Sequence, residues 1–558
     1  MSGGYIPAAD ARTAASLLLL RDGDAGLEVL MLRRAERGDD PRSGAMVFPG
    51  GVLDPRDVHA HADCIGHDDR HWSGRLGVAE RGLDYLVAAL RECFEEVGLL
   101  LACAPDGSAL DLAPRLGALH PWRERLNRGE VGMADFCRET GLRLDLRGLA
   151  YYSHWLTPPG SPKRFDTRFF CALAPHGQVA QADLGEAMEL LWLTPAAALD
   201  PARDLKLLPV TRRTLADLAR HTRAADAWQA AAVPREIRLV MPRRAVGRQG
   251  PRVVLPDEHS YAEIGRLDPH GHGRASADLV PGAPVSLSER VIRVTAPNPG
   301  PMTGPGTNSY IVHEGGRGCT VIDPGPPIDE HLRALIAAAP GPIERILVTH
   351  THKDHSPAAA LLHAATGAPV HGRRADHPMW QDDTFAPAVL LAGGERLAIG
   401  PATTLTVVHT PGHASNHLCY LLEEERTLFT GDHVMQGSTV VINPPDGDMS
   451  AYLRALEGLL RLEIDWFAPG HGWLVAQPHD VVRALVAHRL GREAKVADAL
   501  RRLGPATVEA LVPDVYAEVP KALHPMAQRS LLAHLLKLRD DGAAALDADS
   551  RWSAPAAG

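Results

Sequence analysis

Residues 347–359 read "LVTHTHKDHSPAA" and carry three histidines and an aspartate within six positions. The preceding "ERILVTH", 344–350, has the pattern of a buried strand, so His350, His352, Asp354 and His355 sit on the loop that leaves it. A strand end aims side chains into a common cleft, and a loop lets residues at offsets 0, 2, 4 and 5 converge. Imidazole and carboxylate are suitable zinc ligands. An isolated histidine would read as a solvated loop residue. H-x-H-x-D-H after a strand, with the sites below, reads as part of a metal centre.

Three later stretches supply further ligands. "VVHTPGHASNH", 407–417, puts His413 after a strand and a Pro-Gly turn. "TLFTGDHVM", 427–435, puts Asp432 after an apolar strand and a glycine, and "WFAPGHGW", 466–473, gives His471 the same setting. Each candidate leaves the end of a strand, as it would in a site at the edge of a β-sandwich.

With these motifs, residues of about 286–478 resemble the metallo-β-lactamase superfamily. The resemblance implies an αββα sandwich in which His350, His352 and His413 hold one zinc ion. Asp354, His355 and His471 would hold the second, and Asp432 would bridge the two. It implies hydrolysis of a thioester, ester or phosphodiester by activated hydroxide, with Asp354 as the candidate catalytic carboxylate. Aspartate at 432, where some lactamases have a thiolate, favours two-metal hydrolases over antibiotic-resistance enzymes. His409 and His433 read as supporting or surface histidines. His417 follows the subgroup spacing TPGHxxxH, and either a substrate contact or a supporting role is open to it.

The flanks narrow the resemblance. "PNPGPMTGPGTNSYIV", 297–312, and the segments "HRLGREAKVADAL", "ATVEALVPDVYAEVP" and "AQRSLLAHLLKL" resemble lactamase-beta-like proteins related to a mitochondrial endoribonuclease. Their C-terminal part is a small winged-helix-type helical domain. Its charges are mixed here, so RNA is a possible partner that the charge does not call for. A cap on the metal domain is an equally good reading.

The N-terminal half carries "RECFEEVG", 91–98. Glu92, Glu95 and Glu96 fall at helical offsets 0, 3 and 4 and share one face. Carboxylates so close repel unless a cation lies among them, either Arg91 or a hard metal such as Mg²⁺ or Mn²⁺. Leu90, Phe94 and Val97 put the other side of the helix in a core, and "FPGG" lies upstream at 48–51. These features resemble the Nudix box, G-x5-E-x7-R-E-U-x-E-E-x-G-U, with Gly51 as its first glycine and Cys93 at an aliphatic position. Asp57 stands where glutamate is usual, and 33 residues, 58–90, replace the usual seven, so the insertion has to loop out.

Interrupted boxes occur in a Nudix subgroup resembling the peroxisomal coenzyme A diphosphatase, which residues 153–172 and 208–219 also resemble. The G-x3-FPGG part of a coenzyme A signature fits Gly44 to Gly51, but the arginine spacing before it is stretched and a threonine is absent. The resemblance implies metal-dependent cleavage of a diphosphate of the coenzyme A type or another nucleoside diphosphate-X, with Glu95 catalytic. Glu186 and Glu189 are candidates for a further ligand or base.

Composition bounds the rest. The 558 residues are 45% hydrophobic and 23% charged, which indicates a folded chain of three or four domains at roughly 150 residues each. A net charge of -10 excludes a global pull toward nucleic acid or anionic membrane. Seven cysteines without a CxxC pair argue against a disulfide framework and for a reducing cytoplasm. No apolar run approaches a membrane span. The expected order is a Nudix α/β/α sandwich (1–235), a linker (236–285), the metallo-β-lactamase αββα sandwich (286–483), a helical winged-helix-like domain (484–545) and a tail (546–558). A bifunctional metal-dependent hydrolase is the leading expectation, with small diphosphate and thioester or ester substrates. The alternative keeps catalysis, for instance as an endoribonuclease, in the second sandwich and makes the Nudix-like domain a ligand-binding module.

Overall fold

The computed structural model describes residues 8–35, 43–183, 187–315, 317–437 and 439–555. The chain forms two units, Met1–Arg244 with His270–His272, and Ala245–Pro269 with Gly273–Gly558.

The first unit is built on a mixed sheet. Its central strand, Ala11–Gly23, runs parallel to Arg164–Leu173 and forms a hairpin with Gly26–Arg34, closed by the pair Gly23 and Gly26. Leu17 to Leu20 are all fully buried because helices cover both faces. Leu17 and Leu19 join the core beneath the helix Gly82–Val97. Leu18 and Leu20 point to the opposite face, against which Ala224–Ala232 packs. This is the expected α/β/α sandwich, and the helix Gly82–Val97 stops at Gly98 as its sequence predicts. The inserted residues 58–90 do not loop out. They form a 3-10 helix (Asp57–Asp63), a short strand (Cys64–Ile65), the helix Asp69–Leu76 and the first turns of Gly82–Val97. Trp72 and Leu76 belong to the same core as Phe94, so apolar residues that read as an interruption are part of the scaffold.

The second unit stacks two sheets. One has seven strands in the order of the chain from Pro284–Ser286 to Val389–Leu390, and the other six, from Arg396–Gly400 to Val475–Ala476. Strand alternation sorts the side chains. Tyr310 and Val312 meet Leu418, Tyr420 and Leu422 between the sheets. Ile311 faces outward to Leu335 and Leu362 on the helices Asp329–Ala338 and Ala358–Thr366. Cys419 faces the other way, to Tyr452 and Leu456 on Met449–Leu459. These are the four layers of an αββα sandwich, and each such buried side chain contributes roughly 1.5–3 kcal/mol.

Two expected boundaries move. The segment 236–285 is not a free linker, because Ala245, Val254, Ile264 and Ala277 form a small core of their own. On its helix Tyr261–Leu267, Glu263 accepts two hydrogen bonds from Arg293, at 2.6 and 2.8 Å, with both side chains buried. The boundary at 483/484 falls inside one 26-residue helix, Pro478–Leu503. Val482 on that helix packs in the sandwich and Val496 in the C-terminal domain. That domain adds Val508–Val515, His524–Asp540 and a hairpin of Ala545–Leu546 with Trp552–Ser553. The expected tail is therefore structured through the hairpin: Trp552 is buried and exchanges backbone hydrogen bonds with Ala506. All seven cysteines are free thiols. Among the described residues, no helix is long and apolar enough to cross a membrane.

Candidate active sites

The seven residues singled out in the second sandwich come together at the carboxyl ends of its strands. His350 to His355 follow Ile343–Leu347, His413 follows Thr403–His409, Asp432 follows Thr427–Gly431 and His471 follows Trp466–Pro469. One atom from each of His350, His352 and His413 lies within 4.8 Å of the others, and the same holds for Asp354, His355, Asp432 and His471. His352 Nδ1 is 3.0 Å from both His350 Nε2 and His413 Nε2. Asp432 faces both groups: Oδ1 is 3.3 Å from His355 Nε2 and 3.2 Å from His471 Nε2, and Oδ2 is 3.7 Å from His413 Nε2. Ligands bound about 2.1 Å from one tetrahedral ion stand about 3.4 Å apart, so the spacing suits a metal.

The outer hydrogen bonds support that fit, because they leave lone pairs directed at the cluster. His413 Nδ1 donates to the Val441 carbonyl at 2.7 Å and His471 Nδ1 to that of Gly306 at 3.3 Å. His355 Nδ1 donates to Asp323 Oδ2 at 2.9 Å. The Thr349 hydroxyl donates to the same oxygen at 2.7 Å and accepts from His350 Nδ1 at 3.0 Å. Each of these four rings therefore turns Nε2 inward, where its lone pair is free for a metal in the neutral ring. His355 Nε2, His471 Nε2 and Asp432 Oδ1 are buried with no hydrogen-bond partner, which is costly unless a cation joins them. Burial alone would lower the His355 pKa, but Asp354, Asp432 and Asp323 raise it well above the usual value. A Cβ at Gly470 would lie 2.7 Å from His355 Cε1 and 2.8 Å from Asp432 Oδ1, so only glycine lets this turn approach the cluster.

Asp323 went unnoticed in the sequence. The available signal was its position at the end of Cys319–Ile322, which pairs in parallel with Ile343–Leu347. Because it orients both His355 and Thr349, Asp323→Asn should weaken metal binding about 10- to 100-fold. Competition with a chelator measures that affinity directly.

His417 does not line the cleft. It is fully buried, accepts from the Asp432 backbone N–H at 3.2 Å and bonds the Thr410 hydroxyl at 2.9 Å. Of the two roles open to it, this geometry fits support of the Asp432 turn and not substrate contact. His433 is also fully buried, against Tyr452, and His409 Nε2 lies 3.3 Å from the Ser415 carbonyl. The cleft over the cluster holds about 390 Å³. Met302, Met379, Trp380, Met435 and Val441 form its apolar wall, and Thr303, Lys353, Asn443, Asp446 and Arg529 are its polar residues beyond the candidate ligands.

In the first unit, Arg91 is the cation among the carboxylates. Its guanidinium donates to Glu92 at 2.8 Å, Glu95 at 3.1 Å and Asp57 at 3.0 Å. Asp57 is thus a buried partner of Arg91. Glu96 accepts from the Gly50 N–H at 2.8 Å. A Cβ on Gly51 would lie 2.3 Å from the Glu92 carboxyl, so the FPGG turn does reach the glutamate helix. Burial raises the Glu95 pKa to about 7 against the opposing pull of Arg91. Glu189 pairs with Arg33 at 2.9 Å on an exposed edge of the sheet, which engages it away from this role, and Glu186 lies outside the described residues.

A sandwich with convergent donors at its strand ends, joined to an α/β/α unit with a glutamate helix, defines a metal-dependent hydrolase. Residues 302–471 match the model of the metallo-beta-lactamase superfamily, 69–209 that of the NUDT19 Nudix domain, and 507–552 that of the beta-lactamase associated winged helix domain. The lactamase-like protein aptB of Emericella nidulans is 30% identical over 281 residues, 47% of this chain and 86% of its own. A beta-lactamase-like protein 2 homolog of Caenorhabditis elegans is 29% identical over 46% of this chain and 86% of its own. An atrochrysone carboxyl ACP thioesterase of Aspergillus chevalieri is 32% identical over 44% and 81%. The chain belongs to the metallo-β-lactamase superfamily, with a Nudix domain before the sandwich and a winged-helix domain after it.

Proposed function

We propose that this is a bifunctional cytoplasmic enzyme whose second sandwich hydrolyses a thioester at a dinuclear zinc site and whose Nudix unit cleaves a diphosphate of the coenzyme A type. The observation that carries the first activity is the convergence of seven candidate ligands, four of them histidines whose outer nitrogens are already engaged. Two divalent ions held there would acidify a water and polarise the scissile carbonyl. The five imidazoles and Asp432 hold the site. Asp354, with 28% of its side chain exposed, is the ligand carboxylate open to the cleft, and we assign proton transfer to it. The thioester reading is supported by the apolar wall beside the cluster and by the thioesterase name of the Aspergillus chevalieri relative. The cytoplasmic setting is supported by the seven free thiols.

In the Nudix unit, Glu92, Glu95 and Glu96 would hold Mg²⁺ or Mn²⁺, and Glu95 would act as the base. Glu95→Gln in the intact protein should reduce Mg²⁺-dependent diphosphate cleavage about 10²- to 10⁴-fold and leave thioester hydrolysis near normal. Equal loss of both activities would mean one composite site. Comparing kcat/KM for coenzyme A, acetyl-coenzyme A, ADP-ribose and a nucleoside triphosphate tests the substrate class. Preference for either of the last two would sink the coenzyme A reading.

A second reading has its own observation. Arg91 already neutralises Glu92 and Glu95, which favours a Nudix unit that binds a ligand without turning it over. Saturable coenzyme A binding with no Mg²⁺- or Mn²⁺-dependent cleavage would establish it.

A further inference from the structure

We propose that Arg529, supplied by the winged-helix domain, is a specificity residue of the metal cleft. It would hold the phosphate of a phosphopantetheine arm while Trp380, Met302 and Met379 receive the apolar gem-dimethyl end of the arm beside that phosphate. This inference rests on the thioester reading above and deepens it.

Arg529 lies on the helix His524–Asp540 and lines the same cleft as His352, Asp354, His413 and Asp432. The helix is anchored there, because Ala533, one turn further on, packs in the outer core of the sandwich with Tyr452 and Leu456. The Arg529 guanidinium stands 5.3 Å over the Trp380 ring, within cation–π reach. Among the described residues it has no carboxylate partner. Asp446, the lining carboxylate that is not a candidate ligand, is engaged: it accepts from Gln381 Nε2 at 3.0 Å, the Ser415 N–H at 3.2 Å and the Ser415 hydroxyl at 2.5 Å. Lys353 adds a second cation to the lining. With Asp354 and Asp432 taken up by the metal ions they would hold, the two cations outnumber Asp446, the one lining carboxylate left, so the cleft attracts an anion. Arginine is suited to phosphate because its planar fork matches two oxygens.

Trp380 is the second independent observation. Its backbone has φ of +72°, a left-handed conformation that is an outlier for a bulky side chain. Trp380 is 54% exposed, and Met379 and Met302 beside the cleft are 54% and 47% exposed. Strain combined with apolar surface held open to solvent is characteristic of a ligand clamp. A phosphopantetheine arm, whose gem-dimethyl carbon is joined through one methylene to the phosphate ester oxygen, fits both features at once.

The test uses three substrates with one acyl group: benzoyl-pantetheine, benzoyl-phosphopantetheine and benzoyl-coenzyme A. The first two differ only in the phosphate, and the third asks whether the nucleotide of free coenzyme A adds anything to the shared arm. Arg529→Gln should raise KM about 10- to 100-fold for the two phosphorylated substrates and leave kcat and the pantetheine KM within about twofold. Arg529→Lys should recover part of the loss, and Trp380→Ala should raise KM for all three. Arg529 is exposed, so the variant should melt as the wild type does. Equal effects on phosphorylated and unphosphorylated substrates, or no effect on either, would overturn the role of Arg529 alone. If the wild type hydrolyses none of the thioesters, the thioester reading falls and this inference with it. RNA cleavage weakened by Arg529→Gln would then identify a nucleic-acid backbone as the ligand.

Discussion

Replacing Asp432 with alanine should abolish hydrolysis by the second sandwich, lowering kcat by at least about a thousandfold, or about 4 kcal/mol of transition-state stabilisation. The size of the effect follows from its position. Asp432 is the one carboxylate with an oxygen toward each histidine group, and its Oδ1 has no hydrogen-bond partner. Without it the two groups lose their common ligand. Wild-type protein purified without chelators should carry about two zinc ions per chain by elemental analysis, and Asp432→Ala fewer than one. Nudix activity should persist, because Glu95 and Asp432 belong to different compact units. A wild type with no transition metal would refute the dinuclear assignment.

The largest stability effect is expected at Glu263. Alanine there would leave Arg293, which is 2% exposed, with no countercharge, and would strip the Leu474 N–H of its 2.8 Å acceptor. An uncompensated buried charge costs about 3–5 kcal/mol, which should lower Tm of the second unit by roughly 10 °C. Replacing both partners with methionine should recover most of that loss, since no buried charge then remains. Thermal melts of the two single variants and the double variant measure the coupling. Additive losses would mean that the pair contributes nothing beyond its separate packing. Leu474 lies three residues after His471, so Glu263→Ala should also loosen the metal site before the unit melts.

The candidate ligands of the second sandwich were legible because each motif is local. A run of apolar residues, a glycine turn and a histidine or aspartate describe a strand end, and strand ends of one sandwich share an edge. The hairpin at Gly23 and Gly26 and the stop of the glutamate helix at Gly98 are local in the same sense. Asp323 was not legible, since "DPG" reads as a turn by itself. Its role arises from the parallel pairing of Cys319–Ile322 with Ile343–Leu347, which brings it beside Thr349 and His355. Residues 236–285 read as a linker because proline, glycine and charge dominate them, yet one of those charges is buried against Arg293, 30 positions away.

The sequence by itself therefore determined the three kinds of domain, their order, and which histidines and aspartates cluster at the strand ends. These depend on periodicity and on motifs shorter than about a dozen residues. Only the tertiary structure decided which polar groups are desolvated and what each one faces. It turned His417 away from the cleft, paired Asp57 with Arg91, folded the 58–90 insertion into the core and brought Arg529 over Trp380. The physical reason is that backbone preference acts between near neighbours in the chain. Burial and charge pairing instead depend on where distant segments pack, and no local pattern records that.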